Sequence, residues 1–459
     1  MNVSLALPVQ APPLRPKLAP WMQKLTASHA NVRPLIEKFG SPIHVVVESE
    51  FKRNVDDLLK PLRERKIQGG LYFARKANKL PWFVSAAVDS EIGIDTASLA
   101  ELTEAISLGA EPHNVTVTAI AKTPELISTA IQFGALIVVD NNDELNMVDV
   151  IASGQGRTAR IGIRFSGFSK NGTKLYSRFG FPVEEGSRLL GRVCESSSLQ
   201  VELLHAHLDR YDYIDRAIAA RQLIGLCDRV AMSGIEIDKI DIGGGIPIRY
   251  LEEKQQFENF LNQLIKAANG EVQPFTFRNE LLDDVYHAWN PISKERFIAA
   301  ILDHKQNEVP LHEELRARNI QLYFEPGRAL LDNTGITLAT VGFRKRDSDG
   351  NLLVGLAMNR MNLRPFRAEF CSDPIFICDG ERAAPPEGAF LVGNLCSESD
   401  FIYRRKIKLP VMPELGDIVC FFNTAGYLAH HMEIGSHGDP LPINVLLNED
   451  TLHLREFHC

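Results

Sequence analysis

The sequence predicts an α/β protein with a (β/α)8 TIM-type barrel followed by a β-rich C-terminal domain. Two observations predict the barrel: eight short apolar or β-branched runs between residues 71 and 324, and helical stretches between most of them. Near-continuous apolar strands that alternate with helices are typical of parallel sheets, and eight such units favour a closed barrel. A third observation predicts the second domain, because helical periodicity is mostly absent after about residue 330.

The predicted barrel elements run from residue 71 to residue 324. The eight strands are Leu71–Ala74, Ile92–Asp95, Val115–Ala119, Leu136–Asp140, Ile161–Phe165, Leu203–Leu208, Ile237–Ile242 and Ile320–Phe324. Helices are predicted between them, at 98–108, 124–133 and 213–232 among others. The stretch 269–312 is long for a connection between strand and helix, so we interpret it as an insertion.

This pattern divides the chain into three segments. Residues 1–40 form an N-terminal arm that contributes to the second domain, and 41–330 form the barrel with its insertion at about 269–312. Residues 331–459 form the β-rich C-terminal domain. Its predicted strands are 335–343, 352–358, 374–378, 389–393, 418–422 and 443–447, and the apolar run His44–Val47 is a candidate to join them.

Composition excludes several classes of protein. The 459 residues are 45% hydrophobic and 24% charged, which is typical of globular proteins. A net charge of −8 argues against nucleic acid or an anionic membrane as the main partner. Seven widely spaced cysteines without a CxxC pair indicate reduced thiols in the cytoplasm and no zinc motif. No apolar run approaches the roughly 20 residues of a membrane span, and the first residues lack the order of a signal peptide.

Function in such a barrel lies at the carboxyl ends of the strands, so the residues directly after each run are the candidates. Lys76 comes after the first run, where a desolvated lysine can form a Schiff base, although a solvated loop lysine has the same pattern. His205 and His207 lie at the end of the sixth run and point the same way. They could bind a metal, stack on a planar cofactor or be buried core histidines.

Two further strand ends carry polar or flexible groups. Gly243, Gly244 and Gly245 come after the seventh run, where backbone amides can approach a phosphate closely or form a plain tight turn. Glu325 and Arg328 come after the eighth run and could serve a ring nitrogen and a phosphate, or form a local ion pair. The joint pattern is what pyridoxal 5′-phosphate needs: an amine, a ring platform, a phosphate loop and a carboxylate.

The ordered motifs resemble the fold type III pyridoxal-phosphate decarboxylases, the group of diaminopimelate, ornithine and arginine decarboxylases. The motifs are YFARKAN, IDTASLAEL, SRFG, HAHLD, DIGGGIP, FEPGR, NLRP, GNLCSESD and NTAGYLAHHM. The resemblance is closest to the diaminopimelate decarboxylase branch, but motifs that bind the substrate in that branch are altered here. Asp209 and Arg210 stand where the family has Gly-Ser, and the closing segment of that branch lacks its arginine here.

The resemblance implies a role for individual residues. Lys76 and Cys396 would be catalytic. The implied cofactor-binding residues are Lys76, Asp95, His207, Gly243, Gly244, Gly245, Glu325, Arg328 and Tyr427, and the implied substrate-binding residues are Arg364, Glu398 and Asp400. The family also implies a homodimer, in which the second domain lends Cys396 to the other subunit.

We therefore expect an enzyme that decarboxylates a basic or diamino acid through a Schiff base on Lys76. Two alternatives stay open at this point. A pyridoxal-phosphate-dependent racemase would break the Cα–H bond instead of the bond to the carboxylate, and a catalytically silent decarboxylase-like protein would have a regulatory role. Retention of both Lys76 and Cys396 favours the enzyme.

Overall fold

The computed structural model describes residues 10–282, 284–365, 368–385 and 387–454. The chain folds into two units, and each is assembled from segments that are distant in sequence. One unit comprises residues 51–247 and 292–330. The other comprises the described residues within 10–50, 248–291 and 331–454, whereas the sequence predicts boundaries near 40 and 330.

Strands and helices alternate through the first unit, and strands dominate the last third of the chain. The strands assigned among the described residues are β1 Ile43–Val46, β2 Gly69–Ala74, β3 Gly93–Thr96, β4 Val115–Val117, β5 Leu136–Val139, β6 Ala159–Ser166, β7 Ser169–Lys170, β8 Thr173–Lys174, β9 Phe181–Pro182, β10 Leu199–Ala206, β11 Lys239–Asp241, β12 Lys305–Gln306, β13 Val309–Pro310, β14 Gln321–Phe324, β15 Gly335–Arg346, β16 Leu352–Leu356, β17 Ile375–Ile377, β18 Ala389–Val392, β19 Ile418–Phe422 and β20 Ile443–Leu446. The α-helices are α1 Pro20–Thr26, α2 His29–Phe39, α3 Ser49–Glu64, α4 Pro81–Asp89, α5 Leu99–Ser107, α6 Pro124–Phe133, α7 Asn142–Gly154, α8 Gly186–Val193, α9 Tyr213–Ala231, α10 Lys254–Ala268, α11 Glu295–Asp303 and α12 Leu311–Ala317.

Eight parallel strands close into a barrel. Their order around the ring is β10, β11, β14, β2, β3, β4, β5 and β6, and β6 pairs with β10 to complete it. Each of the eight strands expected from the sequence is present. The predicted TIM-type barrel is therefore confirmed, and it directs all eight strand carboxyl ends to the same rim.

Local sequence sets where the barrel helices begin. Ser98 caps α5 by accepting a hydrogen bond from the Glu101 amide, and the Glu101 carboxylate accepts the Ala97 amide in return. Thr123 caps α6, whose first residue is Pro124. These side chains satisfy amides that have no partner within the helix, so each helix starts directly after the loop that leaves its strand.

The second unit is rich in β-structure, as predicted. Its main sheet has the order β17, β19, β15, β1 and β20, and β16 joins β15 to β18. β1 lies antiparallel to β15 and parallel to β20, so the run before the barrel does join this sheet. Helices α1 and α2 pack on it through Trp21, Met22 and Leu35, whose side chains are buried with those of the sheet.

The stretch interpreted as an insertion is divided between the two units. Its first part packs in the β-rich unit, where the Phe277 ring lies 4.0 Å from the Phe401 ring and 6.1 Å from the Phe390 ring. Its second part contains α11, which contacts α9 in the barrel unit. Burial of these aromatic side chains accounts for the attachment of the first part to the strands after residue 331.

Within the described ranges, no helix combines the length and the apolar character that crossing a bilayer requires.

Candidate active site

Lys76 lies at the carboxyl end of β2, in a single 3-10 turn formed by Arg75–Ala77. The neighbouring Arg75 is buried, and its Nε donates to Glu104 Oε2 over 2.7 Å, which anchors the turn to α5. The Lys76 side chain is 42% exposed. The turn therefore presents the amine to the rim of the barrel, while its neighbour fixes the backbone.

Asp95 at the end of β3 is the charged partner of that amine. Lys76 Nζ lies 3.3 Å from Asp95 Oδ2, and the Thr118 hydroxyl donates to Asp95 Oδ1. Burial raises the pKa of the Asp95 carboxyl, and the charge of Lys76 opposes that shift. A buried carboxylate at this distance orients the lysine amine at the rim.

Glu325, directly after β14, is held by a buried histidine. His205 Nε2 lies 3.1 Å from Glu325 Oε1, and both side chains are almost fully buried. Arg164 Nε donates to His205 Nδ1 over 3.3 Å, so Nδ1 accepts and Nε2 carries the proton that is donated to Glu325. Burial, aided by the Arg164 charge, lowers the pKa of His205 well below its ordinary value, so this histidine stays neutral.

The glycine loop packs tightly against the Glu325 backbone. A Cβ atom on Gly244 would lie 2.4 Å from the Glu325 carbonyl oxygen, and Gly243 and Gly245 have φ angles of +69° and +71°. The Gly243 amide donates to Asp241 Oδ1 over 2.7 Å. Burial and the nearby Glu325 carboxyl raise the pKa of Asp241 well above its ordinary value. Only glycine allows this close approach, which brings backbone amides to the barrel rim.

A buried arginine, Arg216, donates hydrogen bonds to the backbone of the glycine loop. Arg216 in α9 donates from Nη2 to the Gly244 carbonyl over 3.1 Å and to the Leu208 carbonyl over 3.3 Å. Burial lowers the pKa of Arg216 to about 10. The guanidinium therefore joins the end of β10 to the loop after β11 and fixes the distance between them.

His207 and Arg328 lie at the same rim. The His207 ring packs edge-on against Phe179 at 5.4 Å between centroids. Burial lowers the pKa of His207 to about 4, although the Glu325 charge opposes the shift, so the ring is neutral at physiological pH. The Arg328 guanidinium donates to the Tyr211 hydroxyl and lies 5.7 Å from the centroid of that ring.

Three other predicted residues line a cavity of about 580 Å³ within the β-rich unit. Cys396 is exposed there. Glu398 is also exposed and has Arg278 Nη2 3.7 Å from its carboxylate. Asp400 is buried, and its two oxygens accept the amides of Arg360 and Leu395 over 2.8 and 2.9 Å. Asp400 thus holds the shape of the loop that carries Cys396.

Arg364 and Tyr427 belong to the β-rich unit as well. Burial and the neighbouring Arg404 lower the pKa of Arg364, and Glu369 opposes the shift. Tyr427 adopts a φ of +60° in the turn after β19, and its ring lies 5.7 Å from that of His431. A left-handed conformation is unusual for tyrosine, and it sets the direction of the side chain.

The structure brings the predicted residues of the barrel unit together at one rim, and the remaining predicted residues lie in the other unit. Four residues in the barrel site were not assigned to it from the sequence: Arg164, His205, Asp241 and Arg216. The HxH and DIGGG motifs contain two of them, and their positions on buried strand ends were the available signal. Arg164 gives no local signal, because its hydrogen-bond partners are at least 24 residues away in sequence. The contact of Arg216 with Gly244 also joins residues 28 positions apart.

The residues at the barrel rim fit pyridoxal phosphate. An amine beside a buried carboxylate suits an aldehyde, and a glycine loop with no room for a Cβ atom suits a phosphate. Glu325, whose Oε1 already accepts the His205 proton, has a second carboxylate oxygen for a pyridine nitrogen. The fold and this site define a pyridoxal-phosphate-dependent barrel enzyme.

Comparison of the sequence with known protein families identifies the family within this class. Residues 48–279, about half of the chain, match the family described as "Pyridoxal-dependent decarboxylase, pyridoxal binding domain". The chain belongs to the pyridoxal-dependent decarboxylases. The predictions of this family, of an amino-acid decarboxylase and of pyridoxal phosphate as the cofactor are confirmed.

Relatives and solved structures agree with that assignment over nearly the whole chain. The chain is 29% identical to uncharacterized protein y4yA of Sinorhizobium fredii, with 90% of this chain and 89% of the relative covered. It is 25% identical to diaminopimelate decarboxylase of Pseudomonas aeruginosa, with 83% and 82% covered. The structure of diaminopimelate decarboxylase from Helicobacter pylori complexed with L-lysine aligns with a TM-score of 0.71 at 18% identity, covering 92% and 95%.

Proposed function

We propose that this chain decarboxylates a basic or diamino acid and that Lys76 is the amine that binds the cofactor aldehyde. The observation that carries the proposal is the Lys76–Asp95 pair at the rim that also holds Glu325. Relatives named diaminopimelate decarboxylase support the substrate class. A solved lysine/ornithine decarboxylase of Vibrio vulnificus in complex with putrescine aligns with a TM-score of 0.68 at 18% identity, covering 94% of this chain and all of that one.

Each barrel residue would have a distinct task. Bound pyridoxal phosphate supplies an electron sink for the bond that breaks at Cα. Glu325 would keep the pyridine nitrogen protonated, and the neutral His205 would orient the Glu325 carboxyl group by donating to its other oxygen. His207 would stack on the ring. The amides of the glycine loop would hold the phosphate, with Arg328 beside them.

The β-rich unit would supply the residues that meet the substrate. Cys396 would return a proton to Cα after carbon dioxide leaves. Arg364 would hold a distal carboxylate, and Glu398 would hold a distal ammonium group. Asp400 would act by shaping the loop of Cys396, because both of its oxygens accept backbone amides.

A substrate screen with a lysine variant tests the function. Purified protein loaded with pyridoxal phosphate should release carbon dioxide from one of the basic or diamino acids. Borohydride treatment followed by peptide mass spectrometry should place the cofactor on Lys76, and Lys76→Ala should lose both the adduct and the activity. Racemisation of the amino acid without carbon dioxide, or an adduct at another residue, would contradict the proposal.

We further propose that the enzyme is a homodimer in which Cys396 acts in the site of the other subunit. Coexpression of Lys76→Ala with Cys396→Ala distinguishes a site that uses Cys396 of the other subunit from a site that uses Cys396 of its own subunit. Random pairing of two inactive chains should restore about a quarter of the wild-type activity if each site uses residues from both subunits. No recovery in a mixture shown to contain heterodimers would mean that Cys396 serves its own subunit.

A further inference from the structure

Three strands of the β-rich unit align polar side chains across the sheet. In the register of β1, His44 lies opposite Thr337 of β15 and opposite Asn444 of β20. Side chains alternate along a strand, and the neighbouring Ile43 and Val45 belong to the apolar core on the other face. His44 is only 1% exposed. A histidine buried in a sheet needs partners that satisfy it.

The segment after β19 brings the side chains of His430 and Glu433 close to His44. The His430 ring lies 5.0 Å from the His44 ring at an angle of 84°, and Glu433 Oε1 lies 3.7 Å from His44 Nε2. One potential ligand atom from each of the three residues lies within 4.8 Å of the others. Residues from both ends of the chain therefore converge at one point of a single unit.

The hydrogen bonds of His44 leave one nitrogen for a ligand. Its Nδ1 is 2.9 Å from the Thr337 hydroxyl, which donates in turn to the Thr424 hydroxyl. Thr337 therefore accepts the Nδ1 proton, so Nε2 is the nitrogen of His44 that can offer a lone pair to a ligand. Among the described residues Nε2 has no hydrogen-bond partner, although it is fully buried beside Glu433. An orphaned acceptor next to a carboxylate is better satisfied by a cation than by either neighbour.

We propose that His44, His430 and Glu433 bind a divalent zinc ion. Two imidazole nitrogens and one carboxylate oxygen are a preferred ligand set of zinc, and three protein ligands leave a fourth position for water or another donor. Outer contacts of the kind that orient zinc ligands are already present, because Thr337 holds His44 and Asn444 Oδ1 lies 2.6 Å from His430 Nε2. The proposal does not depend on the proposed function.

The site would join β1 to the turn that carries Tyr427. His430 and Glu433 come after Tyr427 in the segment that follows β19, whereas His44 is fixed on β1 between β15 and β20. A metal ion shared by these residues would fix the turn to the sheet. The sequence does not bring these three residues together, because His44 is separated from the other two by almost the whole chain.

Metal binding to the cofactor-loaded full chain tests the proposal. After treatment with a chelator, the protein is titrated with zinc chloride by calorimetry, and the complex is weighed by native mass spectrometry. One zinc ion per chain should bind, and cobalt substitution should give visible d–d absorption. His44→Gln and Glu433→Gln should each weaken binding by more than about 100-fold, since even loss of an outer contact costs about 10- to 100-fold.

His453→Gln is the matched control, because His453 is an exposed histidine of the same unit outside the cluster. It should bind zinc like the wild type. Circular dichroism checks that the variants are folded. If His44→Gln does not fold, zinc binding by Glu433→Gln decides whether the cluster is a zinc site. Absence of saturable zinc binding in the wild type, or unchanged binding in folded Glu433→Gln, would overturn the proposal.

Discussion

Burial sets the protonation states of the residues at the barrel rim. His205 stays neutral because it is enclosed beside Arg164, and this fixes which of its nitrogens donates to Glu325. His207 is neutral for the same reason, and the charges that affect it most are those of Glu325 and Lys76. A neutral His207 ring suits stacking against a flat aromatic cofactor ring.

The shifted pKa of His207 predicts a pH dependence of stability. Its pKa is about 4 in the folded protein and about 6.5 in an unfolded chain, so the unfolded state binds the proton more tightly. Stability is therefore unaffected above pH 6.5 and falls as the pH decreases towards 4. We expect protonation of this residue to lower the free energy of unfolding by about 2 kcal/mol between pH 8 and pH 5.

His207→Phe keeps an aromatic ring and removes the titration. Urea unfolding of the wild type and the variant at both pH values measures the difference. On acidification from pH 8 to pH 5, the free energy of unfolding of the variant should fall by about 2 kcal/mol less than that of the wild type. Equal losses in both proteins would show that His207 is not protected from protonation in the folded state.

At the scale of elements, the site depends on where strands end. The loop after β11 lies so close to Glu325 after β14 that it excludes any side chain, and Arg216 from α9 clamps it from the other side. The DIGGG and FEPGR motifs are thus two halves of one packed junction. Both a tight turn and a phosphate loop are compatible with these glycines. The close approach of Gly244 to the Glu325 carbonyl oxygen is a requirement for glycine that a turn by itself does not impose.

Gly244→Ala tests this junction. The added methyl group would overlap the Glu325 carbonyl oxygen, so we expect a loss of about 1–3 kcal/mol in unfolding free energy, the usual cost of overpacking. Pyridoxal phosphate should also bind more weakly, because the loop must move away from Glu325. Calorimetric unfolding and cofactor titration measure the two effects.

Gly191→Ala is the matched control in the same unit. A Cβ atom at this position in α8 meets no atom within 4 Å, and alanine is the better helix former by about 0.5–1 kcal/mol. This variant should be as stable as the wild type or slightly more so, with unchanged cofactor affinity. Similar behaviour of the two variants would show that the close approach to Glu325 is unimportant.

At the scale of the whole molecule, the β-rich unit is assembled from three separate parts of the chain. β1 precedes the barrel, yet it lies between β15 and β20, which come after the barrel. The apolar side chains of α1 and α2 cover this sheet, and the Trp21 indole donates to the Asn333 carbonyl over 2.9 Å. The N-terminal arm therefore contributes to the core of a unit that is completed only at the end of the chain.

Trp21→Ala should destabilise this unit by about 3–5 kcal/mol, since the substitution leaves a large cavity in a buried cluster. Hydrogen exchange should accelerate at the amides of β15 and β19, which share that cluster. Leu415→Ala is the control, because Leu415 lies in the same unit with 69% of its surface exposed. It should change stability by less than about 0.5 kcal/mol. Unchanged exchange in Trp21→Ala would mean that the arm is dispensable.

The sequence by itself determined the barrel, the later β-strands and the family, because periodicity, strand ends and ordered motifs are local patterns that need no partner to be read. It also pointed to Lys76, Glu325 and the glycine loop, since each lies directly after a recognisable strand. Only the tertiary structure decided the make-up of the two units, the partner of Glu325 and the meeting of His44 with His430 and Glu433. Those features are contacts between residues far apart in the chain, and burial, not local sequence, brings them together.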